Sequence, residues 1–182
     1  RRLKVAVSFT GDELTMPGDV PADGLKPGAI YNSNRFTLRG LLENFGCEIS
    51  DYGIVPDSLE ATRATLVEAA KQNDLIITSG GVSVGEEDHI KPAVEAEGRL
   101  SMWQIAVKPG KPLAFGEVRR ERGSAFFVGL PGNPVSSFVT FLLFVRPFLL
   151  RLQGVTGQVE PQGYMVRADF DLPKGDRRNE FL

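Results

Sequence analysis

The chain has 182 residues, enough to bury one sizeable α/β core with a short additional piece. Its apolar share of 42% sets disorder aside, and a net charge of −2 (21 basic against 23 acidic side chains) gives no general attraction for phosphate polymers. Nucleic acid is therefore not an expected partner, and any anion site has to be built locally. One cysteine, Cys47, excludes an internal disulfide and points to a reducing, cytoplasmic setting; with one histidine, His89, a Cys/His zinc site lacks ligands.

The sequence opens at Arg1 without a methionine and enters a strand almost at once, which reads as a piece excised from a longer protein. Leu3, Val5, Val7 and Phe9 alternate with polar or small residues, the period of a strand. Residues 10–30 are too rich in Gly and Pro for a helix. Ser33 is the expected N-cap of a helix whose stripe is Leu38, Leu41, Leu42 and Phe45, stopped by Gly46. Residues 47–55 read as a strand, and Asp57 to Glu60 as a capping-box-like start to a helix facing inward through Leu59, Thr62, Leu66 and Ala70. The apolar run from Leu75 to Thr78 suits a strand covered on both faces. A glycine-rich loop follows, then a helix with Ile90, Ala93 and Val94 inward and Gly98 at its stop.

Three further strands are predicted over 101–107, 112–117 and 125–130, the last two joined by a polar hairpin tip at 119–123. The final helix starts with Asn133 as N-cap and Pro134 in its first position, and runs to about Leu152 with a bend near Pro147. Its greasy stretch from Phe138 to Val145 is short of the roughly 20 residues of a bilayer span, so it reads as a core helix and no membrane is expected. This alternation predicts a three-layer αβα sandwich with a mostly parallel sheet over residues 1–153. Residues 154–182 read as a linker and the incomplete start of a β-domain.

Four loops next to predicted strand ends carry the chemistry, because open α/β sheets place ligands there. In Thr78-Ser79-Gly80-Gly81-Val82-Ser83-Val84-Gly85 the glycines admit an anion to the backbone, and Ser79 and Ser83 offer hydroxyls. Glu86, Glu87 and Asp88 follow; carboxylates beside a phosphate cradle are compatible only through a divalent cation, which suggests Mg²⁺. A plain strand–helix turn with acids complementing the helix dipole is the alternative. Lys108-Pro109-Gly110-Lys111-Pro112 holds two lysines on a tight turn, suited to a tetrahedral oxyanion or a phosphate. Gly129 to Ser136 places Gly132, Asn133 and Ser136 at a helix start, either as caps or as a second anion site. Thr10 to Leu14 brings Asp12 and Glu13, while Asp57 reads equally as N-cap or ligand. His89, Trp103 and Cys47 are read as capping or surface, core or rim, and small hydrophobe respectively.

Taken in order, TGDEL, SGGVSVGEEDHIK, AVKPGKPLAFG and GLPGNPVSS closely resemble the molybdenumtransferase family known as MoeA in bacteria and the gephyrin E domain in animals. The resemblance covers residues 3 to about 152, and the tail from Tyr164 is similar to the start of that family's small β-domain. It implies the αβα fold shared with the MogA adenylyltransferases and CinA-like proteins. It also implies an enzyme that inserts molybdate-derived molybdenum into adenylylated molybdopterin with release of AMP, using Mg²⁺. By position Glu13, Asp57 and Asp88 match family carboxylates of the metal and substrate site, with Glu86 a further metal ligand. Lys108, Lys111 and Ser136 match the molybdate and phosphate motifs; Ser79, Gly80, Gly81 and Ser83 match the pterin-phosphate loop, with Gly132 and Asn133 at the second anion site. Asp57, Asp88 and Lys108 form the expected catalytic set. Gln104 and Asn32 depart from the basic and acidic residues seen at those places in other members.

The resemblance further implies an oligomer of the full-length protein, a MogA-like adenylyltransferase as partner, and an isolated piece that turns over poorly. The competing readings are another nucleotidyl enzyme of the same fold, and a gephyrin-like module that anchors a partner protein.

Overall fold

A computed structural model describes residues 2–82, 89–167, 169–171 and 177–181. The first strand, β1 (Lys4–Phe9), leads into a loop containing two-residue strands β2 (Leu14–Thr15) and β3 (Ile30–Tyr31), which pair in parallel. Helix α1 (Ser33–Asn44), β4 (Glu48–Ile54), α2 (Leu59–Gln72) and β5 (Leu75–Ser79) follow. Then come α3 (Ile90–Glu97), β6 (Gly98–Gln104), the short β7 (Val107–Lys108), and the hairpin β8 (Pro112–Arg119) and β9 (Ser124–Leu130). A long helical run closes the domain as α4 (Pro134–Thr140), a π-turn at Phe141–Val145 and α5 (Arg146–Gln153). In the tail, β10 (Asn179–Glu180) pairs in parallel with β7.

The main sheet has the order β4-β1-β5-β9-β8-β6, parallel from β4 to β9 and antiparallel at β8 and β6. The predicted αβα sandwich is thus present, with a mixed but largely parallel sheet. Alternation along each strand divides two cores. Val5, Val7, Phe9, Leu75, Ile77, Val128 and Leu130 face α1 and the final helical run, meeting Leu38, Leu42, Phe141, Val145 and Leu149. Ala6, Ile76, Ala125 and Phe127 face α2 and α3, meeting Leu66, Ala69, Ala70, Ile90, Ala93 and Val94. The rings of Phe115 and Phe126 both meet Phe148 edge-on, at 5.3 and 5.1 Å between centroids. Cys47 is buried in the first core, and that burial pushes its thiol pKa up, as expected of an inert small hydrophobe.

Several boundaries differ from the sequence reading. The N-cap of α1 is Asn32, whose side chain accepts from Arg35 N–H at 3.2 Å, and not Ser33. Asn32 is 2% exposed and serves that helix end. Likewise Ser58, and not Asp57, caps α2 by accepting from Ala61 N–H at 3.2 Å. The strand predicted at 101–107 starts straight from α3 at Gly98 and breaks after Gln104. Where a bend is expected near Pro147 the run holds a π-turn just before it: Arg146 N–H donates five residues back to Phe141, widening the turn ahead of a residue that has no N–H to offer. The final helical run is long and apolar enough by composition to cross a bilayer. Phe141, Val145 and Leu149, each 1% exposed or less, instead seat it on the sheet.

At the tip of the β8–β9 hairpin two arginines tie down helix ends. Arg119 donates to Ala96 and Gly98 carbonyls at the end of α3, and Arg120 to the Asn73 carbonyl at 3.0 Å beyond the end of α2. Arg120→Ala is expected to lower stability by about 1 kcal/mol, measured as urea unfolding of the purified chain. Arg122→Ala, at the exposed part of the same tip, should change it by less than about 0.5 kcal/mol.

Candidate functional site

The carboxyl ends of the parallel strands lie level. Phe9 is registered with Ser79 and with Ile54, and Ser79 with Leu130, so each strand delivers its following loop to one rim. The antiparallel β8 contributes its beginning, Pro112, to the same rim. Main-chain bonds stitch the loops together: Thr10 N–H to the Ser79 carbonyl at 3.1 Å, Gly80 N–H to the Leu130 carbonyl at 3.1 Å, and Val55 N–H to the Phe9 carbonyl at 2.8 Å.

Between them lies an open cleft of about 410 Å³. Thr10, Gly11 and Glu13 line it after β1, Asp57 after β4, and Gly80, Gly81 and Val82 after β5. Pro112 enters from the lysine turn, and Pro131, Gly132, Asn133 and Ser136 come from the turn into α4. The loops approach too closely for a side chain at Gly80 and lie in ordinary contact at Gly132. A Cβ on Gly80, whose φ is +94°, would stand 2.2 Å from the Thr10 carbonyl oxygen, and one on Gly132 would stand 3.6 Å from the Gly80 Cα. The helix start is ordered by Asn133, whose side chain accepts from Ser136 N–H at 3.0 Å, as its capping sequence predicts.

Chemically, one part of the wall carries the carboxylates Glu13 and Asp57, and another carries glycine backbone and a helix start. Among the described residues that line the cleft there is no lysine or arginine. Glu13, Asp57, Gly80, Gly81, Gly132, Asn133 and Ser136 are brought together as the sequence reading expects. Ser83, Glu86 and Asp88 lie outside the described residues.

Three expected site residues do not line the cleft. Ser79, expected as a hydroxyl donor to ligand, is 2% exposed, and its Oγ donates to the Pro131 carbonyl at 3.2 Å behind the wall. Lys108 and Lys111 sit beside the cleft and do not line it. The Lys108 ammonium pairs with Glu180 at 2.8 Å, a residue the tail brings alongside on β10. The lysine turn still packs near the helix start, since a Cβ on Gly110 would stand 2.5 Å from Thr140 Cγ2 and 3.7 Å from the Ser136 carbonyl oxygen.

Two residues escape the sequence reading. His89, set aside as capping, places Nε2 4.0 Å from Asp57 Oδ1 at the cleft; its position beside the acidic run was the only signal. Asn34 in the first turn of α1 is buried and reaches two of the cleft loops from behind, through partners 45 and 98 residues away.

A model of the family described as "Probable molybdopterin binding domain" matches residues 6–151. The chain is 45% identical over 181 residues to a molybdopterin molybdenumtransferase of Haemophilus influenzae, covering 100% of this chain and 43% of that protein. It is 40% identical over 171 residues to gephyrin of Dictyostelium discoideum, covering 82% of this chain and 24% of that protein. A crystal structure of a molybdopterin biosynthesis MoeA protein from Pyrococcus horikosii superposes with a TM-score of 0.73 at 35% identity, covering 86% of this chain and 37% of that one. The chain thus spans less than half the length of these relatives.

Gly80→Ala is expected to destabilise the chain by roughly 2 kcal/mol or more, because a Cβ meets fixed backbone. Gly123→Ala at the hairpin tip, where φ is +80° but nothing lies within 4 Å, should cost only about 1 kcal/mol. Thermal unfolding of the two variants side by side reads the difference.

Proposed function

We propose, since the chain belongs to the molybdopterin-binding domain family, that it is the pterin- and molybdate-binding domain of a molybdopterin molybdenumtransferase. The observation that carries this reading is the convergence of five chain segments on one cleft, with Glu13 and Asp57 facing the same space as the Gly80–Gly81 and Gly132–Ser136 backbone. The substrate we assign is adenylylated molybdopterin, with molybdate as second substrate and AMP as product.

Main-chain N–H groups at Gly81 and at the turn into α4 hold the phosphate oxygens, the Gly80 N–H being taken by the Leu130 carbonyl. Ser136 and the lysines of the neighbouring turn, Lys108 and Lys111, hold the molybdate by charge-assisted hydrogen bonds. In the assembled enzyme Lys108 exchanges Glu180 for the oxyanion. Fixing the two substrates in one cleft removes the entropy of bringing them together, a large part of the barrier to a bimolecular insertion.

The donor set fits Mg²⁺, which takes oxygen ligands and usually binds through one or two carboxylates plus phosphate oxygens; Glu13 and Asp57 are the carboxylates on the cleft wall. The acidic run containing Glu86 and Asp88 continues toward His89, next to Asp57. Bound there, Mg²⁺ supplies neutralisation of the phosphate charge. We further assign a cytoplasmic location, an oligomer of the full-length protein and a MogA-like adenylyltransferase as supplier of the substrate.

The test is AMP release from adenylylated molybdopterin by the full-length protein. Release should depend on molybdate and Mg²⁺ and require no ATP, which separates this activity from adenylyl transfer. Lys108→Ala should weaken molybdate binding roughly tenfold to a hundredfold with the fold intact. Unchanged molybdate affinity in that variant removes the lysine from the site. Asp57→Asn should depress Mg²⁺-dependent AMP release while leaving α2 in place, because Ser58 and not Asp57 caps that helix.

A further inference from the structure

The Asn34 amide lies behind the cleft wall, 7% exposed, and Nδ2 donates to Ser79 Oγ and to the Gly132 carbonyl oxygen, both at 2.8 Å. The carbonyl can only accept, so the amide orientation is fixed by chemistry. Ser79 Oγ passes the chain on, donating to the Pro131 carbonyl at 3.2 Å. Two successive carbonyls of the turn into α4 are thereby drawn inward. The peptides concerned are trans, and in a planar trans peptide the N–H points opposite to its C=O. The N–H groups of Gly132 and Asn133 are therefore turned outward, on residues that line the cleft.

Asn34 Oδ1 is buried without a hydrogen-bond partner among the described residues. Such an orphan acceptor is unfavourable, so the side chain is justified by the two bonds its nitrogen donates. Neither Asn34 nor Ser79 lines the cleft; both line a small adjoining cavity of about 30 Å³ that shares Thr10, Glu13 and Gly132 with it.

We propose that Asn34 is a positioning residue: from behind the wall its amide turns the Pro131–Asn133 main chain so that acceptors face inward and donors face the bound anion. The inference rests on the reading of the cleft as an anion site. Without this bond the Gly132 carbonyl loses the donor that holds it inward, and an outward carbonyl would repel a phosphate in place of binding it. The arrangement acts through main-chain direction, so no side-chain cation is needed on that wall.

The experiment follows main-chain amide resonances of the full chain during titration with inorganic pyrophosphate. In the wild type the Gly132 and Asn133 amides should shift. In Asn34→Asp, nearly isosteric but without the donor, and in the neutral Asn34→Ala, the dissociation constant for pyrophosphate should rise about tenfold or more. Ser79→Ala, which keeps the bond from Asn34 to Gly132, should raise it less. A purely structural role would lower the melting temperature and leave the affinity of the folded protein unchanged, which overturns the proposal while the anion-site reading stands. Shifts confined to Gly80 and Gly81 overturn it in the same way. No shift at any cleft amide removes both the anion site and the role of Asn34. Should one Asn34 variant fail to fold, the other reads the affinity, and the wild-type shifts at Gly132 and Asn133 still decide whether those donors face the anion.

Discussion

The level register of three parallel strands is the constraint on which this molecule depends. Phe9, Ser79 and Leu130 end side by side, and hydrogen bonds continue the ladder one step past the strands, from Thr10 to Ser79 and from Gly80 to Leu130. Those last rungs force backbone against backbone, with no room for a Cβ at Gly80. The cleft follows from this crowding: loops that cannot spread sideways turn up from the sheet edge and enclose a space. In parallel sheets the crevice outside the carboxyl ends is where ligands bind, and here α1, on the way from β1 to β4, packs on one face while α2, on the way from β4 to β5, packs on the other.

Electrostatics then separates the rim into two kinds of wall. Glu13 and Asp57 bring formal charge, while the turn into α4 brings only oriented dipoles. The lysines of the neighbouring turn stand outside that lining, and one of them, Lys108, is engaged by a carboxylate from the tail. A buried network of Asn34, Ser79 and two carbonyls sets the direction of the dipolar wall. Its effect is specific because it acts on main chain that has few alternative conformations: Pro131 and Pro134 flank the turn.

Much of this was legible in the sequence, for identifiable reasons. Alternating Leu3, Val5, Val7 and Phe9 announced a strand, the continuous run at Leu75–Thr78 announced one covered on both faces, and Asn133-Pro134 announced a helix start. Neighbouring polar residues were harder. Asn32 beside Ser33, and Asp57 beside Ser58, are pairs in which either member can cap, and only the backbone angle decides between them. That single-residue difference matters for Asp57, since it leaves the carboxylate at the cleft. Asn34 gave no local signal at all: polar residues in a first helical turn are common, and its partners lie 45 and 98 residues away. The partner of Lys108, 72 residues on, was hidden for the same reason.

The arginine-clamped hairpin tip has a practical corollary. From Pro112 at the rim, β8 runs its length away at about 3.4 Å per residue before the chain turns at Glu121–Gly123 and β9 returns. Space around Gly123 is open, and the anchoring bonds come from Arg119 and Arg120, just ahead of the apex. A dye, an affinity handle or a surface tether spliced at the apex would hang from the far pole of the molecule. It would leave the mouth of the cleft facing solvent and the strand ends undisturbed.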